Sequence, residues 1–364
     1  MEVSHAVQAR IEATMRADRV PGLSVAVIRA DRTVWHRGFG VTDLLSATPA
    51  TARTPYLWFS MTKIVTATAA MRLAGLGALD LDAPACEYFP PFAVVRQPRP
   101  VTVRHLLSHS SGLANPLPIR WVRAADTPAP DPAMFVERLL ARHNRLKYAP
   151  GARASYSNLG YLVLGEVIAA AAGAPFDEHV RTCLLPLLGM RHTGFSYTDT
   201  GGEQPATGYQ RLPAPLTPLL CAILPAHIVA GRQGRYVAYH PFYVLGAAYG
   251  GLVGGVADAA QLALLHLNDG AVHGTQVLAP GVALQMRRVA ARGGPLDFGL
   301  GWYRPAGKGS SFVEHLGGGS GFWNVIRLYP SAGLGVVVMG NTTRYHHEAI
   351  MAAVRRLSDE DSRS

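Results

Sequence analysis

The stretch Trp58-Phe-Ser-Met-Thr-Lys63 puts a serine hydroxyl and a lysine amine three residues apart, directly before the helix-compatible run Ile64 to Met71. Residues three apart on a helix occupy adjoining faces, so the Lys63 amine is predicted to reach the Ser60 hydroxyl. A serine at a helix start also has a free backbone amide and the positive end of the helix dipole beside it. Both suit negative charge developing on a bound substrate. A lysine among apolar neighbours is costly to keep charged, and its pKa falls toward a value usable by a general base. The pair reads as a nucleophile with its base. A Ser-x-x-Lys match alone is a weak signal, so partners further along the chain decide.

Two later segments supply such partners. Tyr156-Ser-Asn158 follows the turn Gly151-Ala-Arg-Ala-Ser155 and stands immediately before an apolar helix, Leu159 to Ala172. A phenol there can share a proton with Lys63 and serve as base toward Ser60, while the Asn158 amide can hold Lys63 and a substrate carbonyl. In isolation the same triplet is a helix entry with an Asn cap. The second segment, Glu314-His315-Leu-Gly-Gly-Gly319, follows the strand-like Ser311-Phe-Val313. Glycines on a strand permit close backbone approach by a substrate, and their amides can complete an oxyanion hole with the Ser60 amide.

Three further segments join these: Val20-Pro-Gly-Leu-Ser-Val-Ala26, Thr102-Val-Arg-His-Leu-Leu-Ser-His-Ser-Ser-Gly-Leu113 and Leu184-Leu-Pro-Leu-Leu-Gly-Met190. With six motifs in family order over nearly its whole length, the chain resembles the serine β-lactamase-like, penicillin-binding-protein-like family. The likeness is to the branch of class C β-lactamases, family VIII esterases and D-aminopeptidases. The resemblance implies an acyl-enzyme mechanism with Ser60 as nucleophile, Lys63 and Tyr156 as the proton-transfer pair and Asn158 as polar support. It also implies that the strand carrying His315 and Gly317 lines the site, and that the amides of Ser60 and Gly318 form the oxyanion hole.

One departure bears on substrate. Penicillin-recognising members usually carry Lys-Thr-Gly in the third motif, where this chain has His315-Leu-Gly317. Histidine is mostly neutral near pH 7 and holds a carboxylate less well than lysine. The leading expectation is therefore a serine hydrolase or acyltransferase acting on a small ester or amide. The alternatives are a β-lactamase, D,D-peptidase or D-aminopeptidase, and a catalytically silent binding or assembly scaffold. A scaffold has no physical need for a desolvated lysine beside a serine.

The elements that must position these groups follow from periodicity. Val3, Val7, Ile11 and Met15 mark an amphipathic helix over 3–17, and Leu23 to Ile28 with Thr33 to Phe39 reads as a hairpin. Strand candidates recur at Phe298 to Tyr303, Ser311 to Leu316, Phe322 to Tyr329 and Gly335 to Met339, before a last helix over Tyr345 to Leu357. A lone hairpin is unstable, so the two ends are expected to meet. The fold class is α/β: one antiparallel sheet from the N- and C-terminal segments, flanked by the terminal helices, with a large, mostly helical insertion. The chain is expected to form a single catalytic unit, 1–364, with its α/β part at about 1–60 and 290–364. The helical part, about 61–289, has candidate helices at 61–75, 103–109, 132–142, 159–172, 176–184 and 256–268. Within it, residues 200–250 are rich in Pro and Gly yet apolar, which suits a long ordered loop or cap. Tyr239, Phe242 and Tyr243 of that segment are expected on the substrate-facing wall, favouring an apolar acyl or leaving group.

Composition narrows the classes further. The 364 residues are 49% hydrophobic and 16% charged, a globular balance with enough apolar side chains for a large core. A net charge of +10 invites a nucleic-acid reading, but the basic residues are nearly all arginines scattered in ones and twos, with three lysines at 63, 147 and 308. Without a basic stripe interleaved with aromatics, no nucleic-acid partner is expected. Cys86, Cys183 and Cys221 lack any CxxC spacing, so neither disulfides nor zinc are expected. His105 and His109 stand four apart, but Leu106 replaces the glutamate of H-E-x-x-H, so no metal is expected. His346-His347-Glu348 is expected on the exposed face of the last helix. No cofactor and no membrane span are expected, and the start Met-Glu-Val-Ser-His-Ala carries no secretory pattern, which points to the cytoplasm.

Overall fold

Alternation of period two at both chain ends builds one sheet. The computed structural model describes residues 5–30, 32–95, 99–225, 227–307 and 310–361. Its eight-stranded sheet runs Ala291–Arg292, Leu296–Phe298, Tyr303–Pro305, Val313–Gly319, Phe322–Tyr329, Leu334–Gly340, Gly22–Arg29, Thr33–Gly40, every pairing antiparallel. The N-terminal hairpin thus joins the C-terminal strands, with Leu23 opposite Gly340 and Arg29 opposite Leu334. Successive side chains enter different cores. Val25, Val27, Val336 and Val338 pack with Val7, Ile11, Ile350 and Val354 of the helices His5–Asp18 and His347–Asp361. Ala26, Ile28, Val337 and Met339 face the core shared with the helical part. Each such aliphatic side chain contributes about 1.5–3 kcal/mol by burial, and a one-residue slip would invert both layers.

The insertion supplies the helices Thr62–Gly75, Val103–Leu107, Pro132–Arg142, Asn158–Ala172 and Val256–Leu267, and Phe176–His179 continues as a π turn through Leu184. Asn158–Ala172 starts where Ser157 Oγ accepts from Gly160 N at 3.0 Å and ends at the left-handed Gly173. Its residues from Asn158 to Ile168 are all buried except Glu166, as befits an almost wholly apolar helix inside a core. Among the described residues no single helix is long and apolar enough to cross a membrane.

The structure departs from the sequence expectations in four places. Phe298 to Tyr303 is not one strand: Gly299 N bonds Trp302 O and Gly301 takes φ +83, so the segment is the turn between two strands. The last helix begins at His347, because the Asp18 carboxylate holds His346 N. His346-His347-Glu348 is not a uniformly exposed face. His346 is exposed, but His347 accepts from the Trp323 indole at 3.2 Å, and Glu348 pairs with the buried Arg327, which also holds Glu314. These contacts clamp the last helix to the sheet. Residues 200–250 are more than a loop: they carry a small sheet (Tyr209–Arg211, Tyr236–Tyr239, Val229–Gln233), the helix Thr217–Ile223, and Phe242–Val244 paired with Val122–Ala124. Val3 and Lys308 lie outside the described residues.

Candidate active site

Ser60 sits in a single 3-10 turn, Phe59–Met61, that runs directly into the helix Thr62–Gly75. The chain entering the turn is held from two sides. Trp58 N donates to Leu252 O and its indole to Gly254 O, while the buried Asn324 amide donates to Leu57 O at 2.7 Å. Phe59 then takes φ +47, a conformation that costs a residue with a β-carbon about 1–3 kcal/mol and clusters at functional sites. That kink turns strand into helix. It leaves Ser60 half-buried while Phe59, Met61 and the following helical turns are fully enclosed.

Lys63 is completely buried, and its Nζ donates to Ser60 Oγ at 3.2 Å, Asn158 Oδ1 at 2.8 Å and Tyr249 O at 2.8 Å. The rings of Tyr156, Tyr249 and Tyr161 surround it, with centroids 4.9, 5.2 and 5.5 Å away. No partner is a carboxylate. Neutral acceptors and ring faces repay only part of the lost hydration of an ammonium, so burial pulls the Lys63 pKa well below the usual lysine value.

Tyr156 and Asn158 arrive together at the start of the helix Asn158–Ala172. Burial pushes the Tyr156 phenol above its ordinary pKa, offset in part by the Ser60 hydroxyl as hydrogen-bond partner. It therefore stands as a neutral phenol beside Ser60. Asn158 turns its amide oxygen to Lys63, and its backbone N–H donates to Asn115 Oδ1 at 2.9 Å. Beneath Tyr156 lies the His109 ring, with centroids 4.5 Å apart and its Nδ1 accepting from Ser157 N at 3.1 Å. Burial first, and then the nearness of Lys63 and His315, drive the His109 pKa well down, so this imidazole is a neutral brace. His105 instead closes the N-terminal turn of Val103–Leu107 through Thr102.

The opposite wall is the strand Val313–Gly319. Its neighbour Tyr303–Pro305 pairs with it only at Glu314, which leaves the glycine end open on that side. Close approach to the nucleophile turn requires glycine here: a β-carbon on Gly317 would lie 2.0 Å from Trp58 O, and one on Gly319 would lie 2.1 Å from the Phe59 ring. On Gly318 it would meet only the Trp323 side chain, at 2.6 Å. His315, 1% exposed, directs Nδ1 at Leu316 O (2.8 Å), packs 4.7 Å from Tyr303 and 6.1 Å from Tyr156, and leaves Nε2 buried without a partner. Burial, then the Lys63 charge, pull its pKa down to about 3 against the Leu316 hydrogen bond, so it carries no charge near neutral pH.

All the sequence-derived groups, Ser60, Lys63, Tyr156, Asn158, His315 and the Gly317-Gly318 backbone, belong to this one junction between the nucleophile turn, a helix start and a strand. The expected aromatic wall from the 200–250 segment is not an open surface: Phe242 packs inside the core on Phe59 with ring centroids 6.3 Å apart, Tyr239 packs on Phe242, both are buried, and Tyr243 stacks instead on Tyr197. The Tyr249 carbonyl, Tyr161, His109 and Asn115 were not legible as site residues. The first is a main-chain atom, and the others act through tertiary stacking or a loop amide. A cavity of about 300 Å³ lined by Phe135, Leu162, Glu166, Phe176, Phe195 and Tyr243 is separate from this junction and includes neither Ser60 nor Lys63.

Comparison with known proteins agrees with this arrangement. The beta-lactamase family profile matches residues 7–360. Penicillin-binding protein 4 of Amycolatopsis lactamdurans is 27% identical over 355 residues, covering 92% of this chain and 84% of that protein. The beta-lactamase of Pseudomonas fluorescens is 26% identical over 386 residues and covers 99% of both. The octameric penicillin-binding protein homologue from Pyrococcus abyssi superposes with a TM-score of 0.79 at 26% identity, covering 98% of this chain and 77% of that one. Matched across nearly its whole length, this chain belongs to the beta-lactamase family of serine hydrolases.

Proposed function

We propose that the protein cleaves small, uncharged esters or amides through a Ser60 acyl-enzyme. The observation that carries this reading is the Lys63 amine, buried without a carboxylate and 3.2 Å from Ser60 Oγ. A lysine so placed loses its proton easily and can take the Ser60 hydroxyl proton as Oγ attacks the substrate carbonyl. The resulting oxyanion is held by the Ser60 and Gly318 amides. The neutral Tyr156 phenol passes a proton to the leaving group as its bond to the acyl carbon breaks, and is reprotonated through Lys63. Water, or an acceptor alcohol in acyl transfer, then attacks the acyl-enzyme by the reverse relay. Asn158, its oxygen engaged by Lys63, presents its NH2 group to the substrate carbonyl.

Substrate class follows from charge. The neutral, buried His315 stands where a β-lactam-recognising site carries a lysine, so no fixed cation is there to hold a substrate carboxylate. The experiment compares kcat/KM for p-nitrophenyl acetate and butyrate with penicillin G and a cephalosporin. Esters are expected to be favoured by at least about 10²-fold, the scale of a lost charge-assisted anchor in the transition state. A cephalosporin constant above that of every ester would assign the site to β-lactams, and absence of both turnover and acylation would assign the chain to a scaffold.

A further inference from the structure

One flank of the protein sets a basic cleft beside an apolar helix. Arg19, Arg211, Arg232 and Arg235, all exposed, line a cleft of about 450 Å³ with Leu212 and Pro213. Among the described residues none of the four has a carboxylate within ion-pair distance. Asp18, next to Arg19, has both oxygens engaged by His346. The cleft is built rather than accidental. Arg232 donates to Leu212 O and Thr217 Oγ1 at 3.0 Å and to Gly234 O at 3.2 Å, and Tyr236 OH fastens the Arg19 carbonyl at 2.7 Å. These uncharged partners fix geometry and leave the positive charge uncompensated.

Leu212 and Pro213 lead straight into Ala-Pro-Leu-Thr-Pro-Leu-Leu-Cys-Ala-Ile223, a 3-10 turn and the helix Thr217–Ile223, with no charged residue and no buried one. Leu216, Leu219 and Ile223, three and four apart on one face, are 45%, 57% and 40% exposed. Such a contiguous apolar surface is unusual on a protein that stays in water.

We propose that this flank docks the protein on an anionic lipid bilayer. The four guanidinium groups meet headgroup phosphates, and the Leu216, Leu219 and Ile223 face enters the acyl boundary. The two chemistries together select the occupant. Uncompensated positive charge calls for an anion, and an uncharged apolar helix beside it calls for hydrocarbon; a bilayer containing phosphatidylglycerol offers both. A free phosphate satisfies only the first. A second copy of the chain would bring the same four arginines against these four and be repelled.

The test is co-sedimentation of the full chain with phosphatidylglycerol–phosphatidylcholine vesicles and with pure phosphatidylcholine vesicles at low and high salt. Binding is expected to the anionic vesicles only, and to fall with salt. Each basic residue near the surface is worth about fivefold in partition, so Arg211→Gln with Arg235→Gln lowers it about 25-fold. Leu219→Asp abolishes binding, and all variants keep their thermal midpoint and their turnover of a soluble ester. The proposal is overturned by equal binding to both vesicle types, by anionic binding indifferent to the arginine changes, or by protection from inorganic phosphate without vesicle uptake. A Leu219-dependent dimer that ignores vesicles overturns it in favour of self-association.

Discussion

Replacing Asn158 with aspartate isolates the electrostatics of the lysine. The substitution keeps size and geometry but puts a carboxylate where a neutral oxygen now accepts from Lys63 Nζ at 2.8 Å. Two unit charges at that distance attract by about 6 kcal/mol at an effective dielectric of about 20, equivalent to roughly four pKa units. The buried carboxylate will not express all of that, since its own ionisation is penalised. Even half of it makes the Lys63 ammonium much harder to deprotonate and weakens it as a base. Ester kcat/KM at pH 7 should fall by about 10²–10³, and the alkaline rise of its pH profile should move up by about two units or more. Asn158→Ala, which removes an acceptor without adding charge, should lower the rate less and leave the profile in place. The assay is p-nitrophenyl butyrate hydrolysis across about pH 6 to 10, with thermal midpoints to confirm folding. An Asn158→Asp enzyme within a few-fold of the parent, with the same pH profile, would refute Lys63 as the group that takes the Ser60 proton.

Further outcomes follow from the same geometry. Gly317→Ala drives a methyl to 2.0 Å from Trp58 O and should cost about 2–3 kcal/mol in urea unfolding with most of the activity, whereas Gly318→Ala, which meets a side-chain ring and no backbone, should be milder; a larger effect at Gly318 than at Gly317 would contradict the close strand–turn approach. Burial, then Asp131, Asp177 and Glu137, push the Glu166 pKa up to about 7, so its contribution is fully present below 4.5 and lost as pH rises through 7. Glu166→Gln should therefore raise stability at pH 8 by about 1–2 kcal/mol, allowing for partial solvation, and change little at pH 4.5; a thermal midpoint unmoved at pH 8 would contradict this. His315 and His266 are both held down to about 3 by burial, so their stabilisation is present above 6.5 and lost as pH falls below it. Together they cost up to about 2.7 kcal/mol per pH unit, and a urea midpoint unchanged between pH 7 and 5 would count against buried neutral imidazoles.

The sheet was legible because its strands alternate: Val25, Val27, Val336 and Val338 serve one core and their neighbours the other. The site was legible because its side chains come in short, ordered segments, Ser60 to Lys63, Tyr156 to Asn158 and His315 to Gly318. What escaped has physical reasons. The third lysine acceptor is the carbonyl of Tyr249, and a main-chain oxygen leaves no mark in residue type. The φ of +47 at Phe59 was hidden because an aromatic residue gives no sign of a left-handed turn. Three- to five-residue strands among prolines and glycines in 200–250 are too short for period two to show. The turn at Gly299 to Trp302 is hidden in the sequence because Leu300 and Trp302, both buried, mimic strand alternation.

The central claim is that Ser60 becomes acylated, and intact-mass spectrometry tests it most directly. The wild-type protein and Ser60→Ala are each incubated with a fluorophosphonate and, separately, with a slowly deacylated p-nitrophenyl ester, then digested to locate the adduct. One adduct per wild-type chain, on the peptide containing Ser60, and none on Ser60→Ala is the predicted result. An adduct of the same yield on Ser60→Ala, or on another residue of the wild-type chain, would contradict it.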